Sequence, residues 1–192
     1  MDDIVKAALV KWPNVPNCFG WLGLDARGNW YMRDEQAQAA GPFGGAPGND
    51  PARHAAAKGS LLRHDKLIDF IQRNYEPDGG GQWFFQNGPQ RVYIELEATP
   101  FIWRLNAGAD SSTKVVVTAH SGQSATVRQC LLDEHGRLYL EADLGIGLVH
   151  TLDMLAAADA IEHGLWTPEV VKANDLPHRY GYVTSPEALQ NK

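Results

Sequence analysis

Two segments of this chain share one pattern: residues 22–32 read LGLDARGNWYM, and residues 130–140 read CLLDEHGRLYL. Aspartate, glycine and tyrosine occupy the fourth, seventh and tenth positions of both segments, with apolar residues around them. An aspartate accepts hydrogen bonds at the start of a tight turn and a glycine adopts the positive φ at its end, so each segment predicts a β-hairpin. A helical pattern follows each hairpin. We therefore predict an α+β protein of two similar halves, each an antiparallel sheet with a packed helix.

Residues 1–78 form the first predicted segment, which contains an N-terminal helix, the first hairpin, a loop and a second helix. The loop, residues 41–58, is rich in glycine, proline and alanine. Because such a composition can bury little apolar surface, we expect this loop to be mobile. Ser60 is expected to cap the second helix, whose apolar face carries Leu67 and Ile71.

Residues 79–164 form the second predicted segment. Runs of β-branched and aromatic residues separated by turn residues indicate several strands, and the segment ends in a helix that Thr151 is expected to cap. The remaining residues, 165–192, form a C-terminal tail. Thr167-Pro168 and Ser185-Pro186 each place a proline directly after a capping residue, a pattern that favours two helix starts.

The composition narrows the classes of partner. The formal net charge is −6 and the 17 Lys and Arg residues are scattered, whereas nucleic-acid binding requires a basic face. No apolar run approaches the roughly 20 residues that span a bilayer. The chain begins without the apolar centre of a secretory signal, and its only cysteines are Cys18 and Cys130. We therefore expect a cytoplasmic protein with no nucleic-acid partner and no membrane partner.

Patterns that would indicate catalysis or a bound metal are weak. Seven histidines occur, but none stands three or four residues from another, the spacing that binds zinc from one helix face. Gly145-Ile146-Gly147 lies between a strand and a helix, yet His150 stands where a dinucleotide-binding turn has its third glycine. No Gly-x-Ser-x-Gly elbow is present. The sequence thus predicts no catalytic residue, no metal ligand and no cofactor.

Three arginines stand at the ends of predicted elements: Arg33 closes the first hairpin, Arg63 opens the second helix, and Arg91 opens an aromatic strand. Guanidinium groups bind phosphate or carboxylate in a bidentate manner, so the three could converge on one anion; ordinary ion pairs are the alternative. His64, next to Asp65, could titrate near neutral pH or simply lie at a solvated helix end. The candidate ligand-binding residues are Arg33, Arg63, His64 and Arg91.

Between Trp83 and Phe101 the chain resembles an uncharacterised bacterial family of unknown function with a duplicated α+β architecture. Its members have a hairpin, a helix that opens with basic residues, an aromatic strand, and a strand that begins with a basic residue and ends with an acidic residue and Pro-Phe. The matching stretches here are Arg63-His64, Trp83-Phe84-Phe85, residues 91–97 and Thr99-Pro100-Phe101. The shared order covers roughly residues 18–163, and both the 41–58 loop and the tail after Gly164 depart from it.

The resemblance implies two related halves, a C-terminal half superficially similar to pleckstrin-homology folds, a ligand site between the halves and a role in signalling. It supplies no catalytic residues. Together with the arginines, it favours a non-enzymatic ligand-binding or regulatory module for an anionic small molecule or a nucleotide. Two alternatives stay open: a hydrolase-type enzyme that uses His64 and an acidic neighbour, and a protein-interaction domain that binds a protein partner through sheet edges and tryptophans.

Overall fold

The computed structural model describes residues 1–45, 50–107 and 115–190. The chain divides into two compact units, each built around one β-sheet. The first unit comprises Met1–Asp25, Asn29–Ala98 and Tyr182–Lys192, and the second comprises Ala26–Gly28 and Thr99–Gly181. The predicted α+β class and the two halves are thereby confirmed.

The elements up to residue 96 belong to the first unit. They are α1 (Asp3–Lys11), β1 (Cys18–Leu24), β2 (Trp30–Met32), α2 (Glu35–Ala40), α3 (Pro51–Lys58), β3 (Ser60–Leu61), α4 (Asp65–Arg73), β4 (Tyr75–Pro77), β5 (Trp83–Asn87) and β6 (Gln90–Leu96). The strands form a six-stranded sheet in the order β3-β2-β1-β6-β5-β4. Neighbouring strands are antiparallel except β1 and β6, which run parallel.

The second unit and the C-terminal tail supply the remaining elements. They are β7 (Phe101–Ala107), β8 (Val115–Ala119), β9 (Ser124–Ala125), β10 (Val127–Asp133), β11 (Leu138–Ala142), β12 (Gly145–Val149), α5 (Met154–Glu162), β13 (Pro168–Val171), α6 (Leu176–Tyr180) and α7 (Pro186–Gln190). The seven strands are ordered β13-β10-β11-β12-β7-β8-β9, and the pairs β10/β13 and β7/β12 are parallel. Helix α7 belongs to the first unit. Over the described ranges, no helix has the length and apolar character needed to cross a bilayer.

The two units repeat one order of elements. Apart from insertions, the first runs β1, β2, β3, α4, β6, and the second runs β10, β11, β12, α5, β13. The strand orders β3-β2-β1-β6 and β12-β11-β10-β13 correspond. The hairpin registers also agree, since Leu22 pairs with Met32 as Cys130 pairs with Leu140. The predicted similarity of the halves thus extends to topology and register, whereas the likeness of the C-terminal half to pleckstrin-homology folds stays a prediction.

Each sheet is mixed, although the hairpins alone predict antiparallel pairing. The first strand of each hairpin also pairs with a strand that returns after the helix, and a helical crossover brings that strand back parallel. Gly23 consequently lies beside Glu95, and Leu131 lies beside Glu169. Glu95 and Glu169 therefore occupy equivalent positions in the two units.

Asp133 fixes the turn of the second hairpin. Its buried carboxylate accepts hydrogen bonds from the backbone N–H groups of His135 (2.9 Å) and Arg137 (2.8 Å). It also accepts from Arg137 Nε (2.8 Å) and from the Tyr139 hydroxyl (2.9 Å). Since one side chain binds the turn and the returning strand, the hairpin follows from the local sequence.

The first hairpin uses the same turn. Asp25 accepts hydrogen bonds from the backbone N–H of Asn29 at 2.8 Å and from its side-chain amide at 3.0 Å. Gly28 and Gly136 occupy the corresponding turn positions with φ of 81° and 73°. These values lie in the left-handed region that favours glycine.

The prediction of a loop over residues 41–58 is wrong for its second part. Residues 51–58 form α3, because Asp50 caps the helix by accepting the Ala52 N–H and Pro51 takes the first helical position. Alanine, whose small buried area supported the expectation of a mobile loop, is also a strong helix former. Residues 46–49 lie outside the described part of the chain.

The segment ahead of α3 is also packed. Phe43 is only 1% exposed, and its ring lies over Gly23 of β1. A Cβ added at Gly23 would clash with that ring, so the glycine makes room for the phenylalanine. The contact is between residues distant in sequence, and composition could not reveal it.

The two predicted helix caps are misplaced. Ser60 lies in β3, and α4 is capped instead by His64, whose Nδ1 accepts the Leu67 N–H at 3.2 Å. Thr151 opens a single 3₁₀ turn that precedes α5, and His150 caps that turn through its Nδ1. In both places the cap lies within a few residues of the predicted one.

Of the two helix starts predicted in the tail, one is present and the other is a strand. Pro186 begins α7, as predicted from Ser185-Pro186. Pro168 begins strand β13 rather than a helix, because the β-branched Val170 and Val171 pair with β10. Pairing with a distant strand thus overrides a local helix signal.

The predicted segments 1–78, 79–164 and 165–192 do not coincide with the compact units. The boundary falls between Ala98 and Thr99, because β5 pairs with β4, and β6 pairs with β1. The end of the tail joins the first unit, where the Leu96 N–H donates to the Thr184 carbonyl oxygen at 2.8 Å. Strand pairing, which the sequence does not specify, decides both divisions.

We expect Asp133→Ala to lower the free energy of unfolding by about 2–3 kcal/mol, because the Tyr139 hydroxyl and the turn N–H groups would lose a buried acceptor. The loss is measured as a lower urea midpoint at an unchanged m value. The control, His135→Ala at the exposed tip of the turn, should stay within about 0.5 kcal/mol of the parent. Parent-like stability of the Asp133 variant would contradict the role of this turn.

The pKa of Asp133 sets how that contribution depends on pH. Burial alone would raise the pKa, but the hydrogen bonds from Arg137, Tyr139 and His135 outweigh it and hold the pKa below the ordinary aspartate value. The stabilisation is therefore complete above the unfolded-chain pKa of about 3.9 and is lost as pH falls through the folded-state value. In urea titrations, the stability difference between the parent and Asp133→Asn should hold from about pH 7 to about pH 5 and shrink below about pH 4. A difference that does not change with acidification would contradict this assignment.

Candidate functional site

Arg33, directly after β2, is 2% exposed and its guanidinium makes five hydrogen bonds. The acceptors are the carbonyl oxygens of Ala57 (2.8 Å), Gly20 (3.1 Å), Gly41 (2.6 Å) and Ala37 (3.5 Å) and Oε2 of Glu187 (3.2 Å). These bonds use the full donor capacity of a guanidinium. The prediction that Arg33 binds an external anion is therefore corrected: its donors serve the fold.

The bonds of Arg33 join β1, α2, α3 and α7. Glu187 of α7 lies against Gly20, whose φ is 77° and where a Cβ would stand 2.7 Å from the Glu187 carboxyl carbon. The backbone N–H of Glu187 donates to Oε1 of Glu95 at 3.0 Å. Helix α7 is thus fixed by an ion pair through its side chain and by a buried carboxyl through its backbone.

A cavity of about 230 Å³ lies in the first unit beside this cluster. Its walls are residues 42–45 after α2, residues 95–97 at the end of β6, and residues 184–185 before α7. Arg33 holds the first wall through Gly41, and the Leu96–Thr184 backbone bond joins the other two. The cavity is therefore bounded by segments that specific hydrogen bonds keep in place.

Glu95 places a buried carboxyl in the cavity wall, with 2% of the residue exposed. Burial raises the pKa of this carboxyl above its ordinary value, although hydrogen bonds from Ser185 and from the Glu187 backbone oppose the rise. The negative charge of Glu187 also raises the pKa of Glu95, and the positive charge of Arg33 lowers it. The fold thus keeps a carboxyl whose charged form is disfavoured.

Glu97 contributes the second carboxyl of the wall, and its charge is balanced. Lys58 Nζ lies 2.7 Å from Glu97 Oε2 and sits over the rings of Tyr31 (5.8 Å) and Phe43 (5.9 Å). His54 Nε2 lies 3.2 Å from the Phe43 carbonyl oxygen and 3.9 Å from Glu97 Oε1. The wall formed by residues 95–97 therefore carries both a paired carboxylate, Glu97, and the buried Glu95 carboxyl.

The other predicted site residues lie apart from this cavity wall. Arg63 and His64 are exposed, and His64 serves as the cap of α4, the solvated helix end that was the alternative to a titrating group. Arg91 is exposed and stacks over the Phe84 ring at 4.5 Å. Among the hydrogen bonds of the described residues, Arg33 shares no acceptor with Arg63, His64 or Arg91.

The residues around the cavity were missed, although part of their signal is visible in the sequence. Tyr93, Glu95 and Glu97 alternate with apolar residues along β6, which places them on one face of the sheet. Nothing local shows that a distant segment, Ser185-Pro186-Glu187, covers that face. Composition therefore predicts an open polar face where the fold has a partly enclosed one.

The described residues give little support for a metal site or for nucleophilic catalysis. In the described ranges, no cluster of three or more His, Cys, Asp or Glu side chains has the arrangement of a metal site. Cys18 and Cys130 are both free thiols. Burial raises the pKa of Cys130 to about 11, which disfavours the reactive thiolate at neutral pH.

The DUF2944 family model, described as "Protein of unknown function (DUF2946)", matches residues 1–187. The chain belongs to this family. The expectation of an uncharacterised family is thereby confirmed. No curated protein matches the chain.

Two solved structures resemble the family member described here. A DUF1285 family protein from Silicibacter pomeroyi DSS-3 is 12% identical, with a TM-score of 0.49 over 83% of this chain and 84% of that chain. A DUF1285 family protein from Shewanella baltica OS155 is 14% identical, with a TM-score of 0.42 over 73% of this chain and 91% of that chain.

Replacing Arg33 with Ala should lower the free energy of unfolding by about 3–5 kcal/mol, because the partner carboxylate and buried carbonyl groups would lose their donors. Arg33→Lys should restore little, since an ammonium group cannot reach acceptors spread around a planar fork. The exposed Arg91→Ala is the matched control and should cost at most about 1 kcal/mol, the value of a surface cation–π contact. Urea denaturation measures all three; equal losses for Arg33→Ala and Arg91→Ala would contradict the organising role of Arg33.

Proposed function

We propose that this protein is a ligand-binding regulatory module whose small-molecule site is the cavity beside Glu95. The observation that carries the proposal is the buried Glu95 carboxyl in the wall of a cavity whose other walls are held by Arg33 and by the C-terminal segment. Keeping a desolvated carboxyl costs stability, and groups of this kind in concave sites are candidates for function. Its use in binding would offset that cost.

The chemistry of the wall favours a ligand that donates hydrogen bonds. Glu97 already has Lys58 as its counter-ion, whereas Arg33, whose charge acts on Glu95, directs its donors to other acceptors. A ligand ammonium or hydroxyl group could supply a further donor to Glu95, which already accepts from the Glu187 N–H and from Ser185. At about 230 Å³ the cavity is below the range of roughly 300–1,000 Å³ for drug-sized ligands, which favours a small amine.

Binding is better supported than catalysis. Ser185 and the Glu187 N–H hold the Glu95 carboxyl in a fixed position, and His64 of the hydrolase alternative is occupied as a helix cap. Residues 184–185 line the cavity and lead directly into α7. A bound ligand would therefore favour the docked form of this segment, which supports a regulatory role.

An anionic small molecule or a nucleotide is a second candidate. The exposed guanidinium groups of Arg63 and Arg91 are the observation that favours it. Such a ligand would bind away from the cavity wall, so its response should depend on Arg91 and not on Glu95.

The test is a thermal-shift panel of small primary amines, amino alcohols, phosphate, dicarboxylates and nucleotides on the full chain. We expect an amine to raise Tm, because ligand at about 100 times its Kd adds roughly 2.7 kcal/mol of stability. Glu95→Gln should abolish the response while the variant remains folded, since the neutral amide replaces a disfavoured charge in a buried site. The exposed Glu35→Gln serves as the matched control and should respond like the parent.

Two outcomes decide against the cavity. A panel in which no amine moves Tm would contradict the proposed site. A response to anions that survives Glu95→Gln and disappears in Arg91→Ala would establish the second candidate instead.

A further inference from the structure

Strand β13 ends the sheet of the second unit. Because Glu95 and Glu169 are equivalent, the next residues, Leu96 of β6 and Val170 of β13, are equivalent as well. Leu96 and Val170 lie beside Leu24 and Leu132, respectively, in the parallel pairs. The first unit therefore shows what this position of the strand can bind.

In the first unit this edge position is occupied. The Asp25 N–H donates to the Asn29 carbonyl oxygen within its own hairpin. Since N–H groups alternate between the two sides of a strand, the N–H of the preceding Leu24 faces β6. The Glu97 N–H donates back to Leu24 at 3.0 Å. The Leu96 N–H consequently points away from β1 and donates to Thr184 of the C-terminal segment at 2.8 Å.

The same alternation directs the Val170 N–H outward. Asp133 donates its N–H into the second hairpin at 3.0 Å, as Asp25 does in the first. The N–H of Leu132 therefore faces β13, and the Val170 N–H points away from β10. No strand pairs with that outer side of β13 in the parts of the chain that the structure describes.

Open space lies along this edge. Val170 is 79% exposed and lines a groove of about 530 Å³ that is also lined by Leu176 and Arg179 of α6. An exposed strand edge with an apolar side chain is a template for an added strand. Residues of the exposed strand and of α6 thus line one groove.

The charges of the groove favour a basic segment. Arg179 binds Glu169 in a bidentate manner at 2.6 and 3.0 Å, so these two charges offset each other. The remaining charged lining residues are Glu134, Asp175 and Lys172, which leave an excess of negative charge. A basic side chain on an incoming strand would find a complementary surface.

We infer that the outer edge of β13 binds an extended, basic segment of a partner protein as an additional strand. A backbone carbonyl of that segment accepts the Val170 N–H, as Thr184 accepts the N–H of Leu96 in the first unit. The inference rests on the repeat and on the groove, and it does not depend on a ligand in the Glu95 cavity.

Hydrogen exchange of the free full-length chain tests the open edge. The Leu96 amide should be protected, because Thr184 accepts its hydrogen bond, and the Val170 amide should exchange much faster. Equal protection of both amides would mean that β13 is already covered, and the inference would fail.

Binding is tested by NMR titration of the isotope-labelled chain with two blocked peptides, Lys-Val-Thr-Val-Lys and Glu-Val-Thr-Val-Glu. The lysine peptide should shift the amide signals of β13, and the glutamate peptide should bind about 2- to 5-fold more weakly, as expected for exposed cross-strand charge pairs. Absence of shifts with both peptides overturns the inference. Shifts that depend on protein concentration without peptide, with a doubled sedimentation mass, would identify a second copy as the occupant and overturn it too.

Two sets of variants separate the edge from the rest of the fold. Val170→Pro removes only an outward N–H and should fold while weakening the lysine peptide about 2- to 13-fold, the value of one hydrogen bond. The control, Val171→Pro, removes an N–H that faces β10 and should lower Tm. If Val170→Pro does not fold, the charge reversals Glu134→Lys and Asp175→Lys together should remove the preference for the lysine peptide. Unchanged binding in every folded variant would contradict the proposed surface.

Discussion

The first unit depends on the hydrogen bonds of one buried group, the guanidinium of Arg33. A charge in a nearly solvent-free position is tolerated only where its hydrogen bonds are satisfied, and here β1, α2, α3 and α7 supply the acceptors. Each of these segments is short or irregular at the point of contact. Their arrangement therefore follows from one side chain rather than from a continuous apolar interface. The same side chain positions residues 42–45, which form one wall of the cavity beside Glu95.

The two units use one glutamate position in different ways. Glu95 is buried and accepts a backbone N–H from α7, whereas Glu169 is exposed and pairs with Arg179 of α6. In both units a short helix near the end of the chain docks against the strand that runs parallel to the hairpin. The buried Glu95 lines a small cavity in the first unit, and the exposed Glu169 lines a larger groove in the second.

Local chemistry explains which parts of the fold the sequence could predict. The Asp and Gly of each hairpin act within a few residues, so the turns and their flanking strands were predictable. In the 41–58 segment the local signals of α3, Asp50-Pro51 and the alanines, were present in the sequence, whereas the packing of Phe43 on the distant Gly23 was not visible. The arginine hypothesis failed at Arg33 for the same reason. Its position at the end of a hairpin was visible, but Glu187, an acceptor more than a hundred residues away, was not.

The raised pKa of Glu95 connects the cavity to the C-terminal helix. A carboxyl whose pKa is raised by folding binds its proton more tightly in the folded state, so its contribution to stability is present at low pH and is lost as pH rises through the folded-state value. The hydrogen bonds from Ser185 and from the Glu187 backbone favour the charged form and oppose that loss, which means that docking of α7 and ionisation of Glu95 support each other. A positively charged group in the cavity would favour the same charged form. By reciprocity, whatever such a group adds to the docking of α7, the docked helix adds to its binding.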